Sequence, residues 1–115
     1  MPERFLSHLG LARRAGKILI GQDQLQDGKH RDDLFLIVMT EDAGSTVRRK
    51  TEALSERRQI PLLVAFDRDE LGRALGVGRC SIVGIIDKGF ADALINKAPD
   101  GSKVAGGPEE QGIDG

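Results

Sequence analysis

The stretch Asp69-Glu-Leu-Gly-Arg-Ala-Leu-Gly-Val-Gly-Arg-Cys-Ser-Ile-Val-Gly-Ile-Ile-Asp87 passes from a helical pattern through a glycine-bounded loop into an apolar strand. The stretch Leu9-Gly-Leu-Ala-Arg-Arg-Ala-Gly-Lys-Ile-Leu-Ile-Gly21 has the same order, with Gly16 at its turn. Glycine tolerates the positive φ that commonly ends a helix, so each junction predicts a sharp turn from helix to strand. Two such units indicate a small domain in which helices and strands alternate.

The remainder of the chain extends this alternation. The continuous apolar run over residues 34–39 is typical of a strand covered on both faces. Asp67, followed three residues later by Glu70, predicts a helix start with a capping box, and Ser45 and Asp87 are predicted to cap two further helices. The predicted order is αβαβαβαβα. Its short connections predict an α/β fold, a three-layer α/β/α sandwich around a four-stranded mixed, mostly parallel sheet.

Composition indicates one domain followed by a tail. The 115 residues suffice for a single core. Residues 1–97 hold sixteen Lys or Arg against fourteen Asp or Glu, so this domain is mildly basic. Residues 98–115 are glycine-rich and acidic and have few large apolar side chains. Such a segment cannot bury enough surface to offset its ordering entropy, and we expect it to be flexible.

Several classes of protein are excluded by composition. A single cysteine allows no internal disulfide and no multi-cysteine zinc site. Four Phe without Trp or Tyr leave little aromatic surface for stacking bases. The opening Met1-Pro2-Glu3-Arg4 lacks the layout of a signal peptide, and the longest apolar run is too short to cross a bilayer. We therefore expect a soluble, cytoplasmic protein with no membrane partner.

No catalytic constellation appears in the sequence. Neither His8 nor His30 has a context that ties it to Cys80, which we expect to be a small buried side chain rather than a nucleophile. The run Gly21-Gln22-Asp23 lacks the spacing of a dinucleotide or phosphate-loop fingerprint. We therefore expect no catalytic residues, no bound metal and no cofactor.

Four short motifs resemble those of a known family. They are Ala15-Gly-Lys-Ile-Leu-Ile-Gly21, Leu36-Ile-Val-Met-Thr-Glu-Asp-Ala43, Leu71-Gly-Arg-Ala-Leu-Gly-Val-Gly-Arg79 and Ile85-Ile-Asp-Lys-Gly89. In this order and spacing they resemble the kink-turn-binding ribosomal protein superfamily, which includes large-subunit proteins 7Ae and 30e and related small nuclear ribonucleoprotein members. Among its branches, the chain looks most like the bacterial YlxQ-type proteins. The resemblance implies an α/β/α sandwich that binds RNA.

The resemblance also implies a first RNA-binding loop, made of the glycine that closes the opening strand and the helix start after it. Unpaired amide N–H groups at such a place favour phosphate, and short polar side chains there reach base edges. The matching residues are Gly21, Gln22, Asp23 and Gln24.

The first loop departs from the strict kink-turn readers at three positions. These readers have Asn, Glu and, three residues later, Lys where this chain has Asp23, Gln24 and Asp27. Asp23 cannot donate as Asn does, and Asp27 would repel a phosphate. Three nearby cations are the alternative phosphate contacts: Lys17, Arg13 and Arg14.

The second implied loop is Gly76-Val77-Gly78-Arg79-Cys80. The family packs an apolar side chain of this loop against kinked nucleotides while an Arg meets the backbone. Val77 fits because it lies between two glycines with no evident core to enter, and Arg79 follows two residues later. A third family position falls on Glu41-Asp42-Ala43, where Asp42 is predicted to accept from a base or simply to cap the next helix.

Each feature also has a purely structural interpretation. Gly21 and Gly76 suit turns in any α/β protein, and the basic run Arg48-Arg49-Lys50 suits the solvent face of a helix. Three function classes remain open: a non-catalytic RNA-binding protein, a protein-interaction module on the same fold that no longer binds RNA, and a small α/β enzyme or the substrate-binding half of an RNA-modifying enzyme. We favour the first, as a monomer that grips a kinked or internally looped RNA, with the ribosome as a candidate partner.

Overall fold

The computed structural model describes residues 2–26, 33–99 and 102–105. Its helices are α1 (Pro2–Arg14), α2 (Gln22–Gln26), α3 (Ser45–Arg58), α4 (Arg68–Leu75) and α5 (Lys88–Asn96). Its strands are β1 (Ile18–Ile20), β2 (Leu36–Met39), β3 (Leu62–Val64), β4 (Ile82–Ile85) and β5 (Lys103–Ala105). Within these ranges no helix is both long and apolar enough to span a bilayer.

The strands form one mixed sheet in the order β1-β4-β2-β3-β5. β2 pairs in parallel with β3, whereas the other pairings are antiparallel. The mixed α/β sheet is confirmed, but the prediction that it is mostly parallel is wrong. The cause lies after α4, where the chain runs back along the helix: the Val77 amide donates to the Gly72 carbonyl, and the Cys80 amide to the Arg68 carbonyl. β4 therefore begins at the edge where β1, β2 and β3 end, and runs against β1 and β2.

The predicted four strands are present as β1 to β4, and β5 adds a fifth beside β3. Its register pairs Val64 with Lys103 and Leu62 with Ala105. Residues 103–105 belong to the tail segment that the sequence led us to expect to be flexible, and their backbone pairs with the edge of β3. Residues 100–101 and 106–115 of that tail lie outside the described residues.

Helices cover both faces of the sheet, so the three-layer sandwich is confirmed. One core joins α1, α4 and α5 to the face of the sheet that carries Val38 and Leu63. The other joins α2 and α3 to the opposite face, which carries Ile37 and Met39. All four residues of β2 are buried, as the apolar run predicts for a strand covered on both faces.

The observed helix N-caps can be compared one by one with those predicted from the sequence. The capping box of α4 is confirmed: Asp67 accepts from the Glu70 amide at 2.8 Å, and Glu70 Oε1 accepts from the Asp67 amide at 3.0 Å. Asp87 caps α5 by accepting from the amide of residue 90 at 2.9 Å. The predicted Ser45 cap is wrong, because the Gly44 carbonyl already accepts the first helical bond of α3 and Ser45 lies inside the helix.

Candidate nucleic-acid interface

Four turns meet at one edge of the sheet, where β1, β2 and β3 end and β4 begins. The Gly21 amide donates to the Ile82 carbonyl at 3.0 Å, and the Thr40 amide donates to the Ser81 carbonyl at 2.9 Å. The segment after β2 is likewise bonded to the segment after β3. We call this set the loop edge; it comprises residues 21–24, 40–42, 66–69 and 79–81, together with Arg48, whose side chain bonds to the Glu41 carbonyl. It brings together the first loop, the acidic turn and the Arg79 end of the second loop.

The first loop is a tight turn from β1 into α2. Gly21 has φ +89°, a conformation that side chains other than glycine rarely adopt, and α2 begins at the next residue, Gln22. Asp23 is exposed. Gln24 Oε1 accepts from the Ile20 amide at 2.8 Å. Only the amide oxygen can accept this proton, so the Gln24 NH₂ group points away from β1 and is free to donate.

The second loop is a segment pressed against α4. Gly76 ends α4 with φ +74°, as the sequence predicts. The close approach depends on Gly72, because a Cβ there would lie 1.9 Å from the Gly78 carbonyl oxygen. Val77 is half-buried and packs against the core under α1 and α4. The prediction that Val77 has no core to enter is therefore wrong; the returning path of the chain carries its side chain inward.

Arg79 forms an exposed ion pair at the loop edge. Its Nε lies 3.0 Å from Asp69 Oδ1, and the two side chains are 59% and 61% exposed. At that exposure water screens the pair strongly, so a phosphate can compete for the guanidinium. Arg79 is thus oriented at the loop edge while still accessible.

Asp42 has a partner on α4. Its Oδ1 accepts from the Arg68 amide at 3.1 Å, and its Oδ2 lies 3.4 Å from Arg68 Nε. Asp42 therefore helps to cap α4, whereas the sequence analysis offered a base or the next helix, α3, as its partner. Desolvation alone would raise the pKa of Asp42, but the hydrogen bonds and the charge of Arg68 lower it below its usual 3.8.

Arg48 is a loop-edge residue that the site prediction missed. From the first turn of α3 its guanidinium donates to the Glu41 carbonyl at 2.9 Å. The sequence analysis placed it in a basic run on the solvent face of a helix. The available signal was its position, because a long side chain one turn into a helix can reach back to the loop before that helix.

The three cations proposed as alternative phosphate contacts lie elsewhere. Lys17 is at the opposite end of β1 from Gly21, where its carbonyl accepts from the Ile86 amide at 2.9 Å. Arg13 donates to the Leu75 carbonyl at the end of α4. Arg14 lines a groove between α1 and α4. Asp27 lies outside the described residues.

The loop edge carries more acidic than basic side chains. Its acids are Asp23, Glu41, Asp42, Asp67 and Asp69. The arginines on it are Arg48, Arg68 and Arg79, and each is bonded to a carboxylate or carbonyl of the protein. The loop edge therefore presents hydrogen-bond acceptors and a few donors that are already bonded within the protein, rather than a positive electrostatic potential.

The remaining candidate residues have structural surroundings. Cys80 is buried, as predicted, and burial raises the pKa of its thiol. The His8 ring lies against Phe90, with ring centroids 5.2 Å apart. His30 lies outside the described residues. Within the described ranges, no three His, Cys, Asp or Glu side chains are grouped to hold a metal ion.

Comparison with known proteins places this architecture. Residues 3–95 match the profile of the ribosomal protein L7Ae/L30e/S12e/Gadd45 family. RNA-binding protein YlxQ of Bacillus subtilis (strain 168) is 33% identical over 88 residues, which are 76% of this chain and 88% of the relative. RNA-binding protein YlxQ of Enterococcus faecium is 26% identical over 89 residues, 77% of this chain and 85% of the relative.

Solved structures agree with this placement. A protein of unknown function from Bacillus halodurans C superposes with a TM-score of 0.75 at 34% identity, covering 80% of this chain and 93% of the other. The Giardia lamblia 15.5kD RNA binding protein superposes with a TM-score of 0.67 at 17% identity, covering 81% and 82%, and supports the fold alone. The resemblance to YlxQ-type proteins is confirmed. The chain belongs to the ribosomal protein L7Ae/L30e/S12e/Gadd45 family.

Proposed function

We propose that this chain is a non-catalytic RNA-binding protein that holds a kinked or internally looped RNA against its loop edge. The observation that carries the proposal is that the first loop and the Arg79 end of the second loop lie at one end of the sheet, where the Gly21 amide bonds to the Ile82 carbonyl. Two relatives, 33% and 26% identical, bear the name RNA-binding protein, which supports the choice of ligand. Ribosomal RNA is the class of target that the family suggests.

The side chains of the loop edge suit an irregular RNA better than a regular duplex. The Gln24 amide can donate to a base acceptor, and Asp23 can accept from a base amino group. Arg79 can exchange Asp69 for a phosphate, and the exposed part of Val77 can pack against an unstacked base. Base edges and faces are accessible in this way only where the RNA is looped or kinked.

A protein-interaction module is the second candidate, and one observation favours it. The acids of the loop edge outnumber its arginines, and the arginines are already bonded within the protein. An acidic surface of this kind repels phosphates and suits a basic protein segment.

Binding to three labelled RNAs separates these functions. They are a kink-turn RNA, the same RNA with its G·A pairs changed to Watson–Crick pairs, and fragmented ribosomal RNA, each at about 50 and 150 mM salt. We expect tight binding to the kink-turn RNA that falls about tenfold or more when Val77→Ala and Arg79→Ala are combined. The matched control is Arg49→Ala, which removes one exposed charge from α3.

Two outcomes would contradict the proposal. Equal, weak binding to all three RNAs would show attraction by charge alone. No binding to any of them would favour the protein-interaction module.

A further inference from the structure

A groove of about 430 Å³ runs between α1 and α4 on the outer surface of the domain. Its floor is shallow because the helices approach closely: a Cβ on Gly10 would lie 3.2 Å from the Ala74 carbonyl oxygen. Ser7 and Ala74 add only small side chains to the floor, and the guanidinium-bearing side chains of Arg14 and Arg73 line the groove. The result is an open groove with two arginines, one glutamate and otherwise small or apolar side chains along it.

These two arginines differ from those of the loop edge. In the described part of the chain, neither the Arg14 nor the Arg73 side chain forms a hydrogen bond or ion pair, and both side chains are exposed. The acid of the groove, Glu70, is engaged in the α4 capping box, where it accepts from the Asp67 amide at 3.0 Å. Two unpaired guanidinium groups in one groove suit an anion with several negative oxygens.

The position of Arg73 connects the groove to the second loop. Successive residues of an α-helix are about 100° apart around its axis. Gly72 faces the returning segment that contains Gly78, and Ala74 faces the groove beside α1. Arg73 lies between them on the solvent side of α4. Arg73 therefore lies on the surface of α4 between the second loop and the groove.

We propose that the groove between α1 and α4 binds phosphates of the RNA backbone through Arg14 and Arg73. The proposal rests on the proposed function and extends it: the loop edge contacts the irregular part of the RNA, and the groove holds the stem that follows. A second site of this kind supplies the positive charge that the acidic loop edge lacks. Arg13, next to Arg14 in the chain, donates to the Leu75 carbonyl at the end of α4.

Salt titration of RNA binding tests the proposal. The slope of log affinity against log salt counts released counterions, at about 0.7 to 0.9 per neutralised phosphate. The groove variant combines Arg14→Gln and Arg73→Gln, and the matched control combines Arg49→Gln and Lys50→Gln on the other face of the sheet. Both lose two exposed positive charges. The probe is the kink-turn RNA with a stem of about one helical turn on each side.

The groove variant is expected to bind about tenfold more weakly at about 100 mM salt, with the slope reduced by about 1.5, while the control keeps the slope of the unaltered protein. An equal loss in both variants, or none in either, would overturn the groove and leave the proposed function intact. Failure of the unaltered protein to bind the kink-turn RNA at any salt would overturn both. Circular dichroism of each variant confirms that the fold is kept.

Discussion

The loop edge and the groove hold their arginines in opposite ways. At the loop edge, Arg68 and Arg79 each lie within 3.4 Å of an aspartate oxygen. In the groove, Arg14 and Arg73 are exposed and without a bonded partner in the described residues. An arginine paired with a carboxylate keeps a fixed orientation but attracts a distant phosphate less strongly. An unpaired arginine attracts the phosphate more strongly but has no fixed orientation. We infer from this difference that the loop edge recognises the shape of the RNA, whereas the groove attracts its charge.

The largest effect is expected from a substitution that disturbs the packing of the second loop and leaves both groove arginines in place. Gly72→Ala places a methyl group where the Gly78 carbonyl now lies, 1.9 Å away. We expect a loss of about 2 kcal/mol or more in the free energy of unfolding, although alanine is the better helix former by about 1 kcal/mol. Chemical denaturation measures the loss.

Gly78→Ala is the matched control for that variant. A Cβ at Gly78 meets nothing within 4 Å, so we expect a change within about 0.5 kcal/mol. In RNA titrations, Gly72→Ala should weaken binding while preserving the salt slope that the groove supplies. Equal stability of the two variants would contradict the close packing of the second loop on α4.

A smaller effect is expected from removing the ion-pair partner of Arg79, which leaves this loop-edge arginine unpaired like the two arginines of the groove. Asp69→Asn removes the charge that holds Arg79 at 3.0 Å. Exposed ion pairs contribute at most about 1 kcal/mol, so the affinity for the kink-turn RNA at low salt should rise by up to about fivefold. Asp92→Asn is the control, because it removes the same charge from the exposed Lys88–Asp92 pair on α5. An equal rise in both variants would show that net charge alone matters.

The smallest effect concerns the pairing of Asp42 with α4 as a function of pH. Desolvation raises the pKa of Asp42 in the folded protein, but the hydrogen bonds and the charge of Arg68 outweigh that rise and lower it. The stability that its carboxylate supplies is therefore present above its usual value of 3.8 and is lost as the pH falls through the lower folded value. Asp42→Asn should melt below the unaltered protein at neutral pH, and the gap should close in acid. A gap of equal size at every pH would contradict a role for the charge of the Asp42 carboxylate.

The elements of this fold could be predicted from the sequence where local chemistry decides them. The Asp67–Glu70 capping box and the turn at Gly76 follow from hydrogen-bonding groups within a few residues. The direction of β4 could not be predicted, because it depends on a segment that doubles back along α4. That path is permitted by the missing side chain of Gly72, a cause that no periodicity reveals.

The position of the candidate site could be predicted from the sequence, but the hydrogen bonds within it could not. Gly21 and the Arg79 end of the second loop lie at one edge because strand register brings them there, as the family resemblance implied. Arg48 was missed because its partner is a backbone carbonyl seven residues earlier rather than a charged side chain. Lys17 was assigned to the site by its nearness in sequence, although β1 separates it from Gly21.

The hydrogen bond from the Ile20 amide to Gln24 also affects how readily the sheet can associate with a second molecule. In the described residues β1 pairs with β4 alone, so its outer side presents backbone donors and acceptors along an open strand. Such an open strand is a template on which a second molecule can extend the sheet. The Gln24 oxygen occupies one of those donors and makes intermolecular sheet extension less favourable. Solubility can therefore constrain position 24 even where its side chain never touches RNA.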